Sequence, residues 1–255
     1  MSYEDNTTFL LNPFTGSEIQ LPRKKIAVLS VSKFVLSSHT MEGDSTIMAI
    51  HGKRKKLAFY KPGDGTWTHI EEDNDDPYVD LMYHEGQFYA LDEKRGVVVV
   101  CFGGPSPSTK VVKRQEGGSS RHYYKEPEKM YLVGSCGKLL LVKRKYKKTQ
   151  TVGFEVFELD SSNQEWVKVS WLGDLALFVG DNYSASISSF NSLKCRGNCI
   201  YFADYFKNFP LVFHDFAAFD LDDTSIEHLH YGRGVLDIGT SFLQGEAVWV
   251  TPSLS

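Results

Sequence analysis

The stretch AFYKPGDGTWTHI, residues 58–70, predicts a β-hairpin. Its first strand runs into the turn PGDG at 62–65, and its second strand opens on the large ring of Trp67. Proline, glycine and aspartate reverse a chain, whereas aromatic side chains suit a half-buried pleated surface. The pattern returns in FELDSSNQEWVKV at 157–169 and in FDLDDTSIEHLHY at 219–231. In all three segments a turn residue lies six positions before the ring that opens the second strand, which predicts one shared register. The three pairs are Lys61 with Trp67, Asp160 with Trp166, and Asp222 with His228.

A second kind of segment also repeats, a glycine turn followed by an apolar strand. It is typical of the start of a hairpin. Successive glycines lie 43, 51, 60 and 48 residues apart, close to the roughly 40–50 residues of a propeller blade. The five copies are Gly43 in GDSTIMAI, Gly86 in GQFYALD, Gly137 in GKLLLVK, Gly197 in GNCIYFAD and Gly245 in GEAVWVTP.

The two segment types alternate, which predicts four strands in each unit. Counting degenerate copies of the first type at 97–112 and 10–22, four units are complete, and they span 40–70, 80–112, 130–169 and 193–231. The hairpins at 9–22 and 240–252 each lack a partner, and joining them across the termini makes one more unit. The sequence therefore predicts an all-β propeller of five or six four-stranded blades, with the last blade closed by strands from both termini. A β-sandwich is the alternative, because it also has short strands at regular spacing.

Composition places the chain among globular proteins. Its 255 residues are 42% hydrophobic and 24% charged, with a net charge of −4. We expect a flexible N-terminus at 1–8 and a single domain at 9–254. Four scattered cysteines fit a reducing compartment, and neither a signal peptide nor a membrane span of roughly 20 apolar residues is evident. We therefore expect a cytoplasmic or nuclear protein without membrane contact.

Catalytic and metal-binding motifs are missing from the sequence. It has no G-x-S-x-G, Walker-type loop or H-E-x-x-H motif, so we predict no catalytic residues, no cofactor and no enzyme activity. Cys195 and Cys199 lack the second ligand pair of a zinc site, and His228 and His230 share a strand face on which packing is the better interpretation. A carbohydrate-active hydrolase stays open as an alternative, because several carboxylates flank strands and hydrolysis needs at least two that converge. They are Asp80, Asp92, Asp204 and Asp237.

Loop placement predicts a binding face. In a four-stranded meander, the loop between the second and third strands emerges on the same face as the linker between blades. This face would carry two basic loops and one acidic linker, and the carboxylates argue against nucleic acid as a partner. The basic loops are Lys53, Arg54, Lys55 and Lys56, and Lys143, Arg144, Lys145, Tyr146, Lys147 and Lys148; the acidic linker is Glu71, Glu72, Asp73, Asp75 and Asp76. The basic loops are interpreted as solvated hairpin tips, as a nuclear-import signal or as a patch for an acidic partner.

An aromatic loop at 204–216, DYFKNFPLVFHDF, joins that predicted face. Its rings either fold back onto the blade or anchor a protein partner. The ring residues are Tyr205, Phe206, Phe209, Phe213 and Phe216.

The chain resembles the plant F-box-associated domain of unknown function 295, the KIB-type β-propeller. The similar stretches include LLNPFTG, LAFYKPGDGTW, GQFYALD, LGDLALFVGDNYSASIS, GNCIYFAD, AFDLDD and WVTPSL, which together span about 9–254. The resemblance implies the substrate-recognition domain of a ubiquitin-ligase adaptor. Members also carry an N-terminal F-box that docks onto a Skp1-type adaptor, and we expect this chain to lack both the F-box and that contact. The expected function is a non-enzymatic protein-interaction domain, with a degenerate paralogue of no independent function as a further alternative.

Overall fold

The computed structural model describes most of the chain outside the C-terminal region. The described residues are 8–12, 16–22, 30–38, 45–71, 76–94, 96–102, 107–113, 128–148, 150–191, 195–208 and 211–228. Their regular structure is almost entirely β-strand, with a short 3-10 turn at Ser189–Asn191. The predicted all-β class is therefore confirmed. Contacts divide the chain into two compact units: unit 1 comprises 1–117 with 252–255, and unit 2 comprises 118–251. The prediction of a single domain at 9–254 is not tested by this division.

Unit 1 contains one hairpin and two four-stranded antiparallel meanders. The hairpin pairs β1 (Thr8–Leu11) with β2 (Glu18–Leu21). The first meander consists of β3 (Val31–Leu36), β4 (Ile47–His51), β5 (Lys56–Tyr60) and β6 (Thr68–His69). The second consists of β7 (Tyr78–His84), β8 (Gln87–Asp92), β9 (Val97–Cys101) and β10 (Ser108–Lys113).

Unit 2 contains one four-stranded meander and one five-stranded sheet. The meander consists of β11 (Glu128–Ser135), β12 (Lys138–Lys147), β13 (Gln150–Asp160) and β14 (Glu165–Val169). The five-stranded sheet has the order β16-β15-β17-β18-β19. Its strands are β15 (Leu175–Val179), β16 (Ala185–Ser188), β17 (Cys199–Asn208), β18 (Leu211–Asp220) and β19 (Ile226–His228). In this sheet β15 pairs with β17 in parallel, so the sheet is not the simple meander that the sequence predicts at 193–231.

The strand count corrects the predicted number of blades. The described residues form four sheets of four or five strands and one separate hairpin, which does not support five or six blades. The segment 240–252, which was predicted to join the N-terminal hairpin in a shared blade, lies outside the described residues. The first meander begins at Val31 and the last sheet at Leu175, upstream of the predicted starts at 40 and 193.

Successive residues of a strand point to opposite faces of its sheet, and the sheet β3–β6 has buried apolar residues on both faces. On one face Met48, Leu57 and Phe59 join the apolar cluster of β7–β9. On the other face Trp67 is completely buried against the hairpin β1–β2. The Trp67 indole N–H also donates to the Pro22 carbonyl at 3.2 Å. Trp67, which the sequence places at the start of a second strand, therefore packs the sheet β3–β6 onto the hairpin β1–β2.

The hairpin turns show where the predicted register holds and where it is wrong. Leu159 pairs with Trp166, whereas Phe219 pairs with Ile226. In both pairs the second residue follows the first by seven positions, so Ile226 rather than His228 is the counterpart of Trp166. The matching turn residue is accordingly Asp220 rather than Asp222. His228 lies two residues further along β19 and is exposed, so its predicted packing role is also wrong.

Candidate functional site

The first predicted basic loop is a tight surface turn between β4 and β5. Lys53 and Arg54 are exposed, and Lys55 adopts a left-handed backbone conformation with φ 48°. Lys56 is already the first residue of β5 and pairs with His51. The sequence therefore located this turn well, and the turn presents positive charge to solvent.

Two histidines meet beside that turn. His51 Nε2 lies 3.2 Å from His69 Nδ1, and the ring centroids are 4.9 Å apart. The pKa of His51 is lowered, first by partial burial and second by the neighbouring His69. The sequence analysis missed this pair, because the two residues lie on different strands and no motif spacing connects them.

The second predicted basic loop is wrong. Residues 143–147 belong to strand β12, and only Lys148 enters the turn that follows. Lys143 is buried with its ammonium 4.5 Å from the centroid of the Phe157 ring. Lys145 forms an ion pair with Glu155 at 3.1 Å, and Lys147 and Lys148 are exposed. Strand β12 thus buries part of this basic run and exposes the rest, which divides the predicted patch.

Arg144 is the clearest correction, because it is completely buried. Its guanidinium carbon lies 4.4 Å from the centroid of the Phe202 ring and 5.0 Å from that of Tyr146. Its Nε–H donates to Thr151 Oγ1 at 2.8 Å. Arginine stacks on aromatic faces and is more weakly hydrated than lysine, which makes it the cation best suited to such a site. Arg144 is therefore a core residue of unit 2 and is not available to a partner.

The predicted aromatic loop at 204–216 is mostly a long hairpin. Strands β17 and β18 run to Asn208 and from Leu211, and Phe206 pairs with Phe213 across them. Phe216 pairs with Ala203 and is half-buried. Phe209 lies outside the described residues. Strand pairing continues through most of this segment, so a loop was the wrong expectation; its partner-binding role stays a prediction.

The acidic linker is described only in part. Glu71 forms an isolated bridge with Ser108, and Asp76 lies 2.9 Å from the ammonium of Lys94. The pKa of Lys94 is raised, mainly by its hydrogen bond to Asp76. Glu72, Asp73 and Asp75 lie outside the described residues. The predicted common face draws on both units and stays a prediction.

The two most exposed aromatic side chains that the structure describes in unit 2 were not singled out from the sequence. Trp171 is 62% exposed and Phe190 is 87% exposed. Trp171 lies in the connection between β14 and β15, and Phe190 lies in the 3-10 turn after β16. Large aromatic side chains normally contribute most when buried, so two exposed rings at one sheet end are notable.

A hydrogen-bonded network holds the segments that carry these two rings. The Ser189 N–H donates to the Asp174 carbonyl at 2.8 Å, and the Ser188 hydroxyl donates to the Asp174 carboxylate. The Leu172 N–H donates to Asn198 Oδ1 at 2.9 Å. The backbone of Gly197 approaches Asp174 so closely that a Cβ would lie 2.8 Å from its Cα. We call this network, together with Trp171 and Phe190, the aromatic platform.

The carboxylates proposed for a hydrolase have structural contacts where they are described. Asp80 is buried and forms an ion pair with Lys33, which joins β7 to β3. Asp92 Oδ1 accepts hydrogen bonds from the backbone N–H groups of Lys94 and Gly96, both at 2.8 Å, and so shapes the turn before β9. The side chain of Asp204 and all of Asp237 lie outside the described residues. These contacts give Asp80 and Asp92 structural roles.

Cys199, one of the cysteines considered for metal binding, is buried beside a carboxylate. Burial and the nearby Asp220 carboxylate raise the pKa of Cys199 to about 11, and its Sγ lies 3.7 Å from Asp220 Oδ2. Among the described residues, no three His, Cys, Asp or Glu side chains form a metal-binding group. His230 lies outside them. Within the residues that the structure describes, no helix has the length and hydropathy needed to cross a membrane.

Comparison with known proteins identifies relatives along most of the chain. A family model described as the KIB1-4 beta-propeller matches residues 1–227. The putative F-box protein At3g25750 of Arabidopsis thaliana is 30% identical over 172 residues, covering 65% of this chain and 45% of its own length. The Arabidopsis F-box protein SKIP23 is 30% identical over 199 residues, covering 68% and 46%. The Arabidopsis F-box protein At2g26160 is 30% identical over 171 residues, covering 63% and 50%. The chain therefore spans about half the length of these relatives.

Proposed function

Because the chain belongs to the KIB1-4 beta-propeller family, we propose that it is a non-enzymatic domain that recognises a protein partner. The family assignment also confirms the predicted propeller class and the predicted resemblance. Propellers present turns and connections from stacked sheets at their ends, where partners bind without any chemical step. The proposal assigns the binding to such turns.

The aromatic platform is the observation that supports this function most directly. Trp171 and Phe190 are the most exposed of the large apolar side chains that the structure describes. A backbone that is already ordered loses little entropy when it binds, and tryptophan is enriched among the residues that dominate interface energies. The network around Asp174 orders the backbone on both sides of these rings. Burial of the rings by a partner would therefore contribute binding energy at low cost.

The basic turn at Lys53 and Arg54 supports an acidic segment as one partner element. Both side chains are exposed at the tip of a short turn. Exposed charges of this kind steer association and add modest affinity, and their effect declines with salt. The turn keeps its exposed charge, whereas Arg144 and Lys143 of the second predicted basic loop are buried.

A role in a ubiquitin ligase is the finer form of the proposal. The named relatives are F-box proteins, and the matched domain would supply recognition of the substrate rather than docking onto a Skp1-type adaptor. The domain would act in the cytoplasm or nucleus, without a nucleic acid or membrane partner.

Affinity capture from plant extract tests the aromatic platform. We compare the unaltered protein with Trp171→Ala/Phe190→Ala, and with Tyr183→Ala as a matched control. Tyr183 is an aromatic residue of unit 2, 37% exposed, in the connection between β15 and β16. Loss of two hot-spot rings typically costs more than 2 kcal/mol, roughly a thirtyfold loss of affinity. We expect the double variant to lose the specifically captured proteins and the control to retain them.

Equal capture by the double variant and the unaltered protein would contradict binding through the platform. Parallel variants separate the other predicted surfaces. Lys53→Glu/Arg54→Glu addresses the basic turn, and Phe206→Ala/Phe213→Ala addresses the long hairpin. Circular dichroism of each variant shows whether the fold is retained, so that a binding defect is not confused with unfolding.

A further inference from the structure

The two histidines beside the basic turn have a geometry that their fold position explains. His51 ends β4 and His69 lies in β6, with β5 between them. His69 pairs with Ala58 and His51 pairs with Lys56, two residues earlier on β5. Residues two apart on a strand share one face, so both imidazoles lie on the same face of the sheet. The small side chain of Ala58 leaves space for the rings to meet above β5.

The separation of the facing nitrogens matches the bite of a metal ion. Zinc binds histidine nitrogens at about 2.0–2.1 Å in tetrahedral geometry, which places two such ligands about 3.3 Å apart. His51 Nε2 and His69 Nδ1 are 3.2 Å apart. We propose that His51 and His69 form a two-histidine site for a divalent transition-metal ion such as Zn²⁺ or Ni²⁺. This site is independent of the proposed partner binding and is not the cysteine or His228–His230 site that the sequence analysis considered.

Binding requires no external proton acceptor when both rings are neutral. Each neutral imidazole has one N–H, and a ring nitrogen without hydrogen supplies the metal's electron pair. In the metal-free pair, one facing nitrogen donates a hydrogen to the other. In the bound pair, the hydrogen of His51 lies on Nδ1 and that of His69 on Nε2, so both facing nitrogens point lone pairs at the ion. The change is a tautomer shift, and no net proton is released.

The charge of the basic turn and the imidazole ligands together favour transition-metal ions at this pair. Four cationic residues, 53–56, follow His51 closely in the chain. Their positive charge lowers the affinity of the site for every divalent cation. The two imidazoles offer no oxygen ligand, which Mg²⁺ prefers. Zn²⁺ and Ni²⁺ retain affinity because imidazole is a ligand they favour. Within the described residues no third ligand side chain completes a cluster, so water or a ligand from another molecule would fill the remaining positions.

A calorimetric titration with Ni²⁺ tests the site. The protein is tag-free, reduced and at about pH 7.5, where unperturbed imidazoles are neutral. We expect one ion per chain, and we expect His51→Ala and His69→Ala each to weaken binding by at least about tenfold, because each removes one arm of a chelate. His228→Ala is the control, since His228 is an exposed histidine on a strand of unit 2. This variant should bind Ni²⁺ as the unaltered protein does.

A second readout keeps the result decisive if a variant is less stable. Ni²⁺ that binds only the folded chain raises the midpoint of thermal unfolding, and both single variants should lose most of that rise. Equal Ni²⁺ affinity in the unaltered protein and in His51→Ala/His69→Ala would overturn the proposal. Absence of any saturable binding would overturn it as well, and so would an equal response to Mg²⁺, because that would indicate a non-specific charge effect.

Discussion

Arg144 is surrounded by aromatic rings in the core of unit 2, with its Nε–H bonded to Thr151. A buried cation depends on these contacts, because desolvation is costly and each hydrogen-bond partner offsets part of that cost. The effect of a substitution at this residue therefore reports on folding rather than on binding.

Replacement of Arg144 by alanine should destabilise the protein strongly. The variant leaves a cavity and removes the donor to Thr151, so we expect the free energy of unfolding to fall by about 3 kcal/mol or more. Urea denaturation measures the change. The exposed neighbour Lys147 provides the control, and Lys147→Ala should stay within about 0.5 kcal/mol of the unaltered protein. Similar small effects for both variants would contradict the buried position of Arg144.

His51 predicts a pH dependence with a definite sign. Its folded-state pKa lies below the ordinary value of 6.5, first because of burial and second because of His69. As pH falls, His51 therefore takes up a proton in the unfolded chain before it does so in the folded chain. The contribution of His51 to the free energy of unfolding is thus complete above about pH 6.5 and declines below it. Urea titrations at several pH values between about 7 and 5 should show a shallower decline for His51→Gln than for the unaltered protein. Parallel curves for the two proteins would contradict the assignment.

At the scale of elements, three hairpins share a turn of four residues. The last residues of these turns are Gly65, Gln164 and Thr224, and all three have left-handed backbones, with φ of 67°, 55° and 59°. Glycine adopts this conformation without strain, whereas a β-branched residue does so only at a cost. A Cβ at Gly65 would have nothing within 4 Å, so a substitution there tests the backbone alone.

Opposite substitutions should therefore have opposite effects in two of these turns. Gly65→Ala should lower the free energy of unfolding by about 1 kcal/mol, and Thr224→Gly should raise it by about 0.5–1 kcal/mol. Thermal or urea unfolding measures both. An unchanged stability in Gly65→Ala would show that the shared turn does not require the left-handed conformation.

Turn chemistry explains how much of the strand layout was predictable. The two-residue turns at Glu85-Gly86 and Cys136-Gly137 have left-handed backbones at both positions, and glycine at the second position marked them in the sequence. The strand at 175–179 was also predictable from its apolar β-forming residues. His228 was misplaced by two residues, because residue spacing alone does not show which residue begins the turn.

For the whole molecule, each unit has its own buried apolar cluster. Unit 1 contains the cluster around Leu57 and Leu81, and unit 2 contains the cluster around Val142 and Phe202. The predicted single domain requires these clusters to unfold together. Differential scanning calorimetry should then give one transition whose van't Hoff and calorimetric enthalpies agree. Two separate transitions would show instead that the units unfold independently.

The sequence by itself determined the all-β class, most hairpins and the family resemblance. Turn residues and strand periodicity are local properties, so they can be read without knowing which sheets pack together. Only the tertiary structure decided the parallel pairing of β15 with β17, the burial of Arg144, the meeting of His51 with His69 and the exposure of Trp171. These features depend on contacts between strands that are distant in the chain. The AFYKPGDGTWTHI hairpin shows the boundary: its turn is local chemistry, whereas the burial of Trp67 against β1–β2 is decided by packing.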